Sequence, residues 1–310
     1  MEKNDKIYVA GHNGLVGSAI VSKLKQNEYK NVLTFDSKSF DLRTKEGVDY
    51  VFDYYKIDYV FLAAAKVGGI LANSSKKAEF IYDNLAIQTN VIHKACQSGV
   101  KKLCFLGSSC IYPKFAEQPI KEEYFLSGKL EESNDAYAIA KIAGIKMCQS
   151  YTEQYGFNTI NLMPTNLYGP NDNFDLETSH VLPALIRKVH EAKIKNKSTV
   201  EVWGTGEVKR EFLYIEDLAD ACIFCMNNYD SPDIINVGIG KDITIKELIY
   251  TIANVLEYKG GIIWDRTKPD GTPRKLLDVS KLTNLGWKAS TSLEDGVRKT
   301  YERYLNKVNI

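Results

Sequence analysis

Two residues four apart in the stretch YAIAK could move a proton. Tyr137 and Lys141 lie in a predicted helix, where residues four apart share a face. A lysine ammonium near a phenol stabilises the phenolate and makes the phenol proton easier to transfer. The pair therefore indicates acid–base chemistry on an oxygen or carbon of a bound substrate.

Polar side chains follow an apolar run in the stretch FLGSSCIYP. The preceding residues 102–106, KLCFL, are expected to form a buried strand, and Ser108, Ser109 and Cys110 come directly after it. Such groups suit a strand whose carboxyl end opens into a site. Alternate residues of an extended strand share a face, so Ser108 and Cys110 are predicted to point into one cavity, with Ser109 turned away.

A glycine-rich turn lies between the first predicted strand, residues 7–10, and a helical pattern. Gly11, Gly14 and Gly17 form GxxGxxG in GHNGLVG. Glycine permits the tight turn and the close approach of backbone N–H groups to a pyrophosphate, and the helix N-terminus adds positive partial charge. In this strand–turn–helix context the pattern predicts dinucleotide binding.

An acidic residue, Asp36, ends the second predicted strand, residues 31–36. A carboxylate there often binds the ribose 2′-OH of NAD and would repel a 2′-phosphate. Ser37, Lys38 and Arg43 are close enough in sequence to offset that charge. A turn residue at the end of a strand is the other reading of Asp36, so the residues leave the choice of dinucleotide open.

The elements around these motifs alternate between strand and helix up to about residue 170, and several strands are continuously apolar. This pattern predicts an α/β fold with a Rossmann-type doubly wound parallel sheet. The alternation loosens afterwards. We expect an NAD(P)-binding domain at 1–170 and a smaller C-terminal α/β substrate domain at 171–310, with the chain partly returning to the first domain near 210–240. The site should lie at the carboxyl ends of the strands.

Composition narrows the class of protein. The 310 residues are 44% hydrophobic and 25% charged with a net charge of +1, which is typical of a soluble globular protein and gives no reason to expect nucleic acid or a membrane as partner. The start of the chain has no apolar stretch of signal-peptide length, so we expect a cytoplasmic location. Cys222 and Cys225 form a CxxC without a second cysteine pair, so no metal site is predicted.

Taken together, these motifs resemble the extended short-chain dehydrogenase/reductase family, and within it the GDP-L-fucose synthases, which are GDP-4-keto-6-deoxy-D-mannose 3,5-epimerase/4-reductases. The resemblance covers nearly the whole chain. It is carried by the stretches GHNGLVGSAI, LAAAKVGGI, FLGSSCIYPK, YAIAKIAGIK, MPTNLYGPNDNF, SHVLPALIRK, VWGTGEVKREFLYIEDLA and KPDGTPRKLLDVS.

The resemblance implies roles for five catalytic residues. Ser108 would hydrogen-bond the substrate's C4 oxygen and Tyr137 would give it a proton, with Lys141 beside the phenol, while a nicotinamide delivers hydride to C4. A 4-keto group acidifies the protons on C3 and C5, which a Cys110 thiolate could remove. His180 matches the partner that returns protons on the opposite face of the sugar.

Cofactor and substrate contacts are also implied by the resemblance. Arginine suits a diphosphate because the N–H groups of its planar guanidinium can donate two parallel hydrogen bonds to phosphate oxygens. The implied substrate contacts are Arg187, Trp203, Arg210 and Asp270. The implied cofactor contacts are Gly11, Asn13, Gly14, Leu15, Val16, Gly17, Asp36, Ser37, Leu106, Gly107, Lys141, Pro164, Asn166, Leu167 and His180.

The chain departs from the family pattern where that pattern has arginines around the adenosine 2′-phosphate. Asn13 and Ser37 stand at those places, next to Asp36. NADP(H) is the favoured cofactor, and NAD(H) stays possible because of Asp36.

Four readings of the activity remain open. The first is a bifunctional epimerase/reductase that makes GDP-L-fucose or a close relative. The second is a C4-reductase of a GDP-4-keto-heptose or 6-deoxy-heptose with little or no epimerase activity. The third, a dehydratase or 4-epimerase that retains NAD, lacks the expected acidic pair after the catalytic serine. The fourth, a regulator that binds NADP without turnover, conflicts with the Tyr–Lys pair. A homodimer is expected, since in this superfamily the helices near 79–98 and 135–155 pair into a four-helix bundle.

Overall fold

Six parallel strands form the central sheet of the computed structural model, which describes residues 1–268 and 270–308 except the side chains of Ile70 and Leu71. Their order in the sheet is β10-β5-β4-β3-β1-β2. All five pairings between them are parallel. The strands are β1 (Lys6–Ala10), β2 (Asn31–Leu33), β3 (Tyr59–Leu62), β4 (Lys102–Leu106), β5 (Thr159–Pro164) and β10 (Ile234–Val237).

Helices cover both faces of this sheet, because its strands are apolar on both sides. Every residue of β4 and of β5 is buried. One face packs in a core with α1 (Leu15–Gln26) and α7 (Ile215–Asn228), and the other in a core with α2 (Lys45–Tyr55), α4 (Lys77–Gln97) and α5 (Asp135–Tyr155). The predicted doubly wound parallel sheet is confirmed.

Smaller sheets follow in the second half of the chain. The pairs are β6 (Asn166–Tyr168) with β9 (Phe212–Tyr214), and β7 (Thr199–Trp203) with β12 (Gly261–Asp265). A three-stranded sheet has the order β11-β8-β13. Its strands are β8 (Lys209–Arg210), β11 (Ile243–Thr244) and β13 (Arg274–Lys275). The remaining helices are α3 (Ile70–Ser75), α6 (Val181–Ile194), α8 (Ile245–Val255), α9 (Ser280–Asn284) and α10 (Leu293–Val308).

The division of the chain at residue 170 stays a prediction. Residues 234–237 lie in the central sheet as β10, next to β5, whereas β7 and β12 form a separate two-stranded sheet. The last two residues of the predicted second domain, 309 and 310, lie outside the described residues.

One predicted strand end is wrong, and so is the extended backbone predicted after another strand. The second strand ends at Leu33, three residues before Asp36, which lies in a turn. The strand β4 ends at Leu106, and Ser109–Ile111 form one turn of 3-10 helix for which Ser108 is the N-cap. Ser109 and Cys110 are both buried. The alternation of faces expected for an extended strand therefore does not apply after Gly107, because the chain turns there.

A buried carboxylate joins four segments of the fold. Glu211, between β8 and β9, is fully buried. Its side chain accepts hydrogen bonds from the N–H groups of Ile239, Gly240 and Leu277 at 2.7, 2.8 and 3.1 Å. Its backbone carbonyl accepts from the side-chain amide of Asn166 at 2.8 Å. Burial raises the pKa of Glu211, although the three N–H groups act in the opposite direction.

None of the helices within residues 1–268 and 270–308 combines the length and apolar character needed to cross a bilayer.

Replacing Glu211 should destabilise the protein. Glu211→Gln turns an NH₂ group toward at least one of the three backbone N–H groups, so the free energy of unfolding should fall by about 1–3 kcal/mol. Glu211→Ala removes all three hydrogen bonds to the side chain and should lower the free energy of unfolding by about 3 kcal/mol or more. Urea-induced unfolding measures both values. The control is Glu207→Gln, at an exposed position in the turn before β8, which should stay within about 0.5 kcal/mol of the parent. Equal losses for Glu207 and Glu211 would contradict this account.

Candidate active site

Four of the predicted catalytic residues lie together at the carboxyl end of β4. Cys110 donates its backbone N–H to the Ser108 hydroxyl at 3.3 Å. The Tyr137 phenol, on the first turn of α5, interacts with the Ser108 hydroxyl and with the Cys110 thiol. One turn later the Lys141 ammonium lies 5.8 Å from the Tyr137 ring centroid and donates to the Leu106 carbonyl at 2.8 Å.

Burial dominates the proton affinities of this cluster. It raises the pKa of Tyr137, which the hydrogen bond with Ser108 opposes, and it lowers the pKa of Lys141 to about 8. The expected lowering of the Tyr137 pKa by Lys141 is not seen, because desolvation of the phenol outweighs other influences. The site thus holds an un-ionised phenol beside a readily discharged ammonium, which suits proton donation to a substrate oxygen.

The Cys110 thiol is buried between positive charges. Burial raises its pKa, while the ammonium groups of Lys275 and Lys141 and a hydrogen bond with Ser108 oppose that rise. Lys275 lies in β13, and its side chain forms no hydrogen bond or ion pair with another described residue. These two cations favour the thiolate whenever the proton leaves, so the sulfur is placed to act as a base.

His180 is the N-cap residue of α6. Its side chain is exposed in a crowded cleft, and partial desolvation there lowers its pKa. The residues before it lie against the segment that follows β3, since the Gly69 N–H donates to the Thr178 carbonyl at 2.9 Å. Within the described part of the chain His180 makes no side-chain hydrogen bond, and its pairing with Cys110 stays a prediction.

The glycine turn has the close approach that a pyrophosphate site needs. A Cβ on Gly17 would lie 2.1 Å from the Gly11 carbonyl oxygen, and Gly11 has a φ of +85°. Gly14 is exposed, and the nearest atom to a Cβ there would be 3.4 Å away. It is the N-cap of α1 without a side-chain cap, so the N–H groups of Leu15 and Val16 are free for an anion. These residues fit a dinucleotide, and Asn13 lies exposed on the same turn.

The loop after β2 is exposed where a 2′-phosphate would be expected. The Asp36 carboxylate accepts the N–H of Lys38 at 2.8 Å, so it caps its own turn. Asp36, Ser37 and Lys38 are all exposed.

Arg43, the other cation considered for this position, is already paired. Its guanidinium binds the carboxylate of Asp41 in a bidentate manner, at 3.0 and 2.7 Å, and reaches Asp83 at 3.3 Å. Of the three residues considered, Lys38 is therefore the one left to offset the Asp36 charge, and Ser37 offers a neutral hydroxyl.

The other predicted cofactor contacts line the carboxyl edge of the central sheet. Leu106 is the last residue of β4, and Gly107 donates its N–H to the adjacent β5 at 2.9 Å. Pro164 is the last residue of β5, and Asn166 and Leu167 begin β6. This is the edge at which parallel sheets bind ligands.

Three of the predicted substrate contacts lie around one turn. Trp203 ends β7 and is 49% exposed. The Asp270 carboxylate accepts from the backbone N–H and the hydroxyl of Thr205 at 2.7 and 2.8 Å, which fixes the turn after Trp203. Burial lowers the pKa of Arg210, and the charge of Asp270 opposes this shift.

Arg187 is not brought to this turn. Its guanidinium donates to Glu191 at 2.8 Å and to the Phe174 carbonyl at 3.2 Å, on the side of α6 that faces α10. The next residue, Lys188, points to the other side, where its ammonium lies 5.2 Å from the Trp203 ring centroid. One residue along a helix turns a side chain by about 100°, which accounts for the difference.

Three lysines near the site were missed in the sequence. Lys188 and Lys268 both lie over the Trp203 ring, at 5.2 and 5.5 Å, and Lys275 pairs in register with Arg210. Lys188 could have been found from the helical phase of α6. The other two depend on a pairing of short strands and loops that no periodicity in the sequence reveals.

Comparisons with known proteins agree with this geometry. Residues 7–238 match the NAD dependent epimerase/dehydratase family. A putative GDP-L-fucose synthase 2 of Arabidopsis thaliana is 57% identical over 308 residues, covering 99% of this chain and 94% of the relative.

Two solved structures extend the comparison. A GDP-6-OMe-4-keto-L-xylo-heptose reductase from C. jejuni has a TM-score of 0.93 at 40% identity, covering 99% of both chains. A GDP-L-fucose synthetase from Naegleria fowleri bound to NADP has a TM-score of 0.92 at 30% identity, covering 100% of this chain and 96% of its own. The chain therefore belongs to the NAD dependent epimerase/dehydratase family and, within it, to the GDP-L-fucose synthases.

Proposed function

We propose that this protein reduces C4 of a GDP-4-keto-6-deoxy-hexose with NADPH, epimerises C3 and C5 of the same sugar, and so forms GDP-L-fucose or a close relative. The observation that carries the proposal is the cluster of Ser108, Cys110, Tyr137 and Lys141 at the carboxyl end of β4. It contains a proton donor and a separate thiol base, as the two reactions require. The relatives named above support this substrate class.

Reduction uses the hydroxyl groups of the cluster. NADPH, when bound on the glycine turn, supplies the hydride that adds to C4. Ser108 donates a hydrogen bond to the C4 oxygen, and Tyr137 transfers its phenolic proton to that oxygen as the carbonyl becomes an alcohol. The Lys141 ammonium stabilises the phenolate that remains.

Epimerisation uses the sulfur. The C4 ketone acidifies the neighbouring C–H bonds, and the Cys110 thiolate removes a proton from C3 or C5 to leave an enolate. His180 gives a proton back to the same carbon on the opposite face, and both groups then recover their protonation states from solvent. Epimerised carbons should therefore acquire solvent hydrogen.

The diphosphate of the substrate is assigned to the cations around Trp203. Lys188 lies over the ring, and Arg210 lies near the turn held by Asp270. Ammonium and guanidinium groups suit phosphate oxygens. Arg187 is assigned no contact with the nucleotide, because its guanidinium is paired with the Glu191 carboxylate.

A C4-reductase of a GDP-4-keto-heptose, with little or no epimerase activity, is the second candidate. It is favoured by the similarity to the C. jejuni heptose reductase. The two candidates differ in whether C3 and C5 exchange hydrogen with solvent.

We also infer that the protein acts as a homodimer in the cytoplasm. The helices α4 and α5 expose Tyr82, Ile139 and Tyr155 at 66, 47 and 60%, which supports burial of these faces against a second copy. Sedimentation equilibrium should give twice the 35.0 kDa mass of the chain. A monomer at micromolar concentration would contradict the inference.

Turnover in D₂O separates the two reactions. The parent enzyme with NADPH should reduce GDP-4-keto-6-deoxy-mannose and place deuterium at C3 and C5, as read by proton NMR and mass, and NADH should be tested in parallel. Tyr137→Phe should lose reduction by about 10²–10⁴-fold but keep deuterium exchange, because the thiol base remains. Cys110→Ser should reduce the sugar without deuterium at either carbon.

Cys96→Ser is the matched control for the cysteine, because Cys96 is a free thiol in α4 and should behave as the parent. Deuterium in the Cys110→Ser product would show that another base acts. Reduction without deuterium by the parent would make the heptose reductase the better assignment.

Lys188→Ala should raise the KM for the GDP-sugar by about 10–100-fold, since a charge-assisted contact contributes roughly 1.5–3 kcal/mol. Arg187→Ala is the paired control and should change KM less than about threefold. Initial rates at varied substrate measure both. A larger effect from Arg187 would reverse the assignment made for the two faces of α6.

A further inference from the structure

The segment 169–180, called the strap here, connects β6 to α6 and ends at His180. Gly169 and Asn171 near its start have φ angles of +156° and +70°. Two left-handed residues so close together make a sharp reversal. This reversal, closed by the Asp172 N–H donating to the Gly169 carbonyl at 3.2 Å, sets the direction in which the strap leaves β6.

The inner side of the strap rests on the cofactor half of the site. Asn171 donates its side-chain amide to the Ser18 hydroxyl of α1 at 3.4 Å. The Thr178 carbonyl accepts the N–H of Gly69 at 2.9 Å. A strap seated in this way fixes where α6 begins, and so fixes His180.

The outer side of the strap borders a cavity of about 490 Å³ between α6 and α10. The Phe174 ring lies 4.7 Å from that of Tyr304, and its carbonyl accepts from Arg187 at 3.2 Å. The cavity gives the strap room to shift without displacing a packed core.

Asp172 is buried where the strap meets this cavity. The residue is 8% exposed. One carboxyl oxygen accepts the N–H of Asn173 at 2.8 Å, and the other is buried without a hydrogen-bond partner among the described residues. Burying a charged carboxylate oxygen without a hydrogen-bond donor costs free energy, so the neutral acid is favoured. Burial accordingly raises the pKa of Asp172 to about 7.

The charged groups around Asp172 do not reverse the preference of its carboxyl for the neutral form. Arg187 and Glu191 of α6 bind each other at 2.8 Å. The Lys307 charge acts on Asp172 and opposes the rise of its pKa, but does not prevent it. The charged and titratable groups that line the cavity around it are Asp175 of the strap, Arg187 and Glu191 of α6, and Tyr304 and Lys307 of α10.

We propose that Asp172 is a positioning residue for His180: its neutral carboxyl keeps the strap seated, and its ionisation draws the carboxylate to water and lifts the strap. The consequence for His180 rests on the proposed function above. The lifting of the strap itself does not.

The pH dependence of the seated strap follows from the pKa of Asp172 in the seated and in the lifted state. The seated carboxyl has a pKa of about 7, and a solvated one has its ordinary value of 3.8. The seated form is therefore most stable below pH 4, weakens as the pH rises from 4 to 7, and changes little above that. From pH 5 to pH 8 the ratio of seated to lifted strap should fall by about a hundredfold.

Hydrogen exchange of the ligand-free protein tests this directly. Protection of the Gly69 amide, which donates to Thr178 of the strap, should fall by up to about a hundredfold between pH 5 and 8 in the parent after correction for intrinsic rates. Asp172→Asn, which stays neutral, should show no such fall. Glu177→Gln, an exposed position of the same strap, should follow the parent.

An equal pH dependence in the parent and in Asp172→Asn would overturn the proposal. If Asp172→Asn does not fold, NMR titration of the Asp172 carboxyl in the parent decides, and a pKa below 5 would also overturn it. In D₂O turnover, deuterium exchange relative to reduction should fall more steeply with pH in the parent than in Asp172→Asn, because Cys110 and His180 titrate in both proteins. Absence of turnover would count against the proposed function and leave the amide result intact.

Discussion

The buried carboxylate of Glu211 is the interaction on which the arrangement of this enzyme depends. A charge taken fully out of water must be satisfied by donors, and Glu211 finds them in three backbone N–H groups from two separate segments. Its backbone carbonyl accepts the Asn166 side-chain amide at the start of β6, and its neighbour Arg210 pairs in register with Lys275. These contacts therefore hold several segments of the chain in place around the cluster.

Within the site, exclusion of water sets the chemistry. Desolvation raises the pKa of the phenol and the thiol, which keeps both un-ionised, and it lowers the pKa of the two buried ammonium groups, which eases the loss of their protons. Charge that develops on a substrate oxygen or on sulfur then meets Lys141 and Lys275 in a medium that screens poorly. In the proposed reactions, reduction and epimerisation can share one ketone because the acid, Tyr137, and the base, Cys110, are different residues of one cluster.

Local patterns in the sequence were sufficient to predict the parallel sheet, the glycine turn and the Tyr137–Lys141 pair. Each of these depends on a short-range periodicity or on a turn motif. The turn at Ser109 was missed since a polar strand end and a 3-10 turn have the same composition. The different directions of Arg187 and Lys188 are not visible in a motif, which gives the position of a charge but not the helical phase that aims it. The approach of Lys275 to Cys110 and the burial of Asp172 arise from segments far apart in the chain, which sequence periodicity does not report.

The place of β10 in the central sheet has a consequence for how the chain folds during synthesis. The strand that covers the outer edge of β5 consists of residues 234–237, some seventy residues after β5 ends, so the nascent chain carries an unpaired apolar strand edge until that stretch has left the ribosome. Such edges attract other chains. The segment made in the interval includes the strap, α6 and Glu211, so these elements emerge before the edge of β5 is covered. Completion of the central sheet during synthesis therefore waits for residues that lie well beyond the catalytic cluster in the chain.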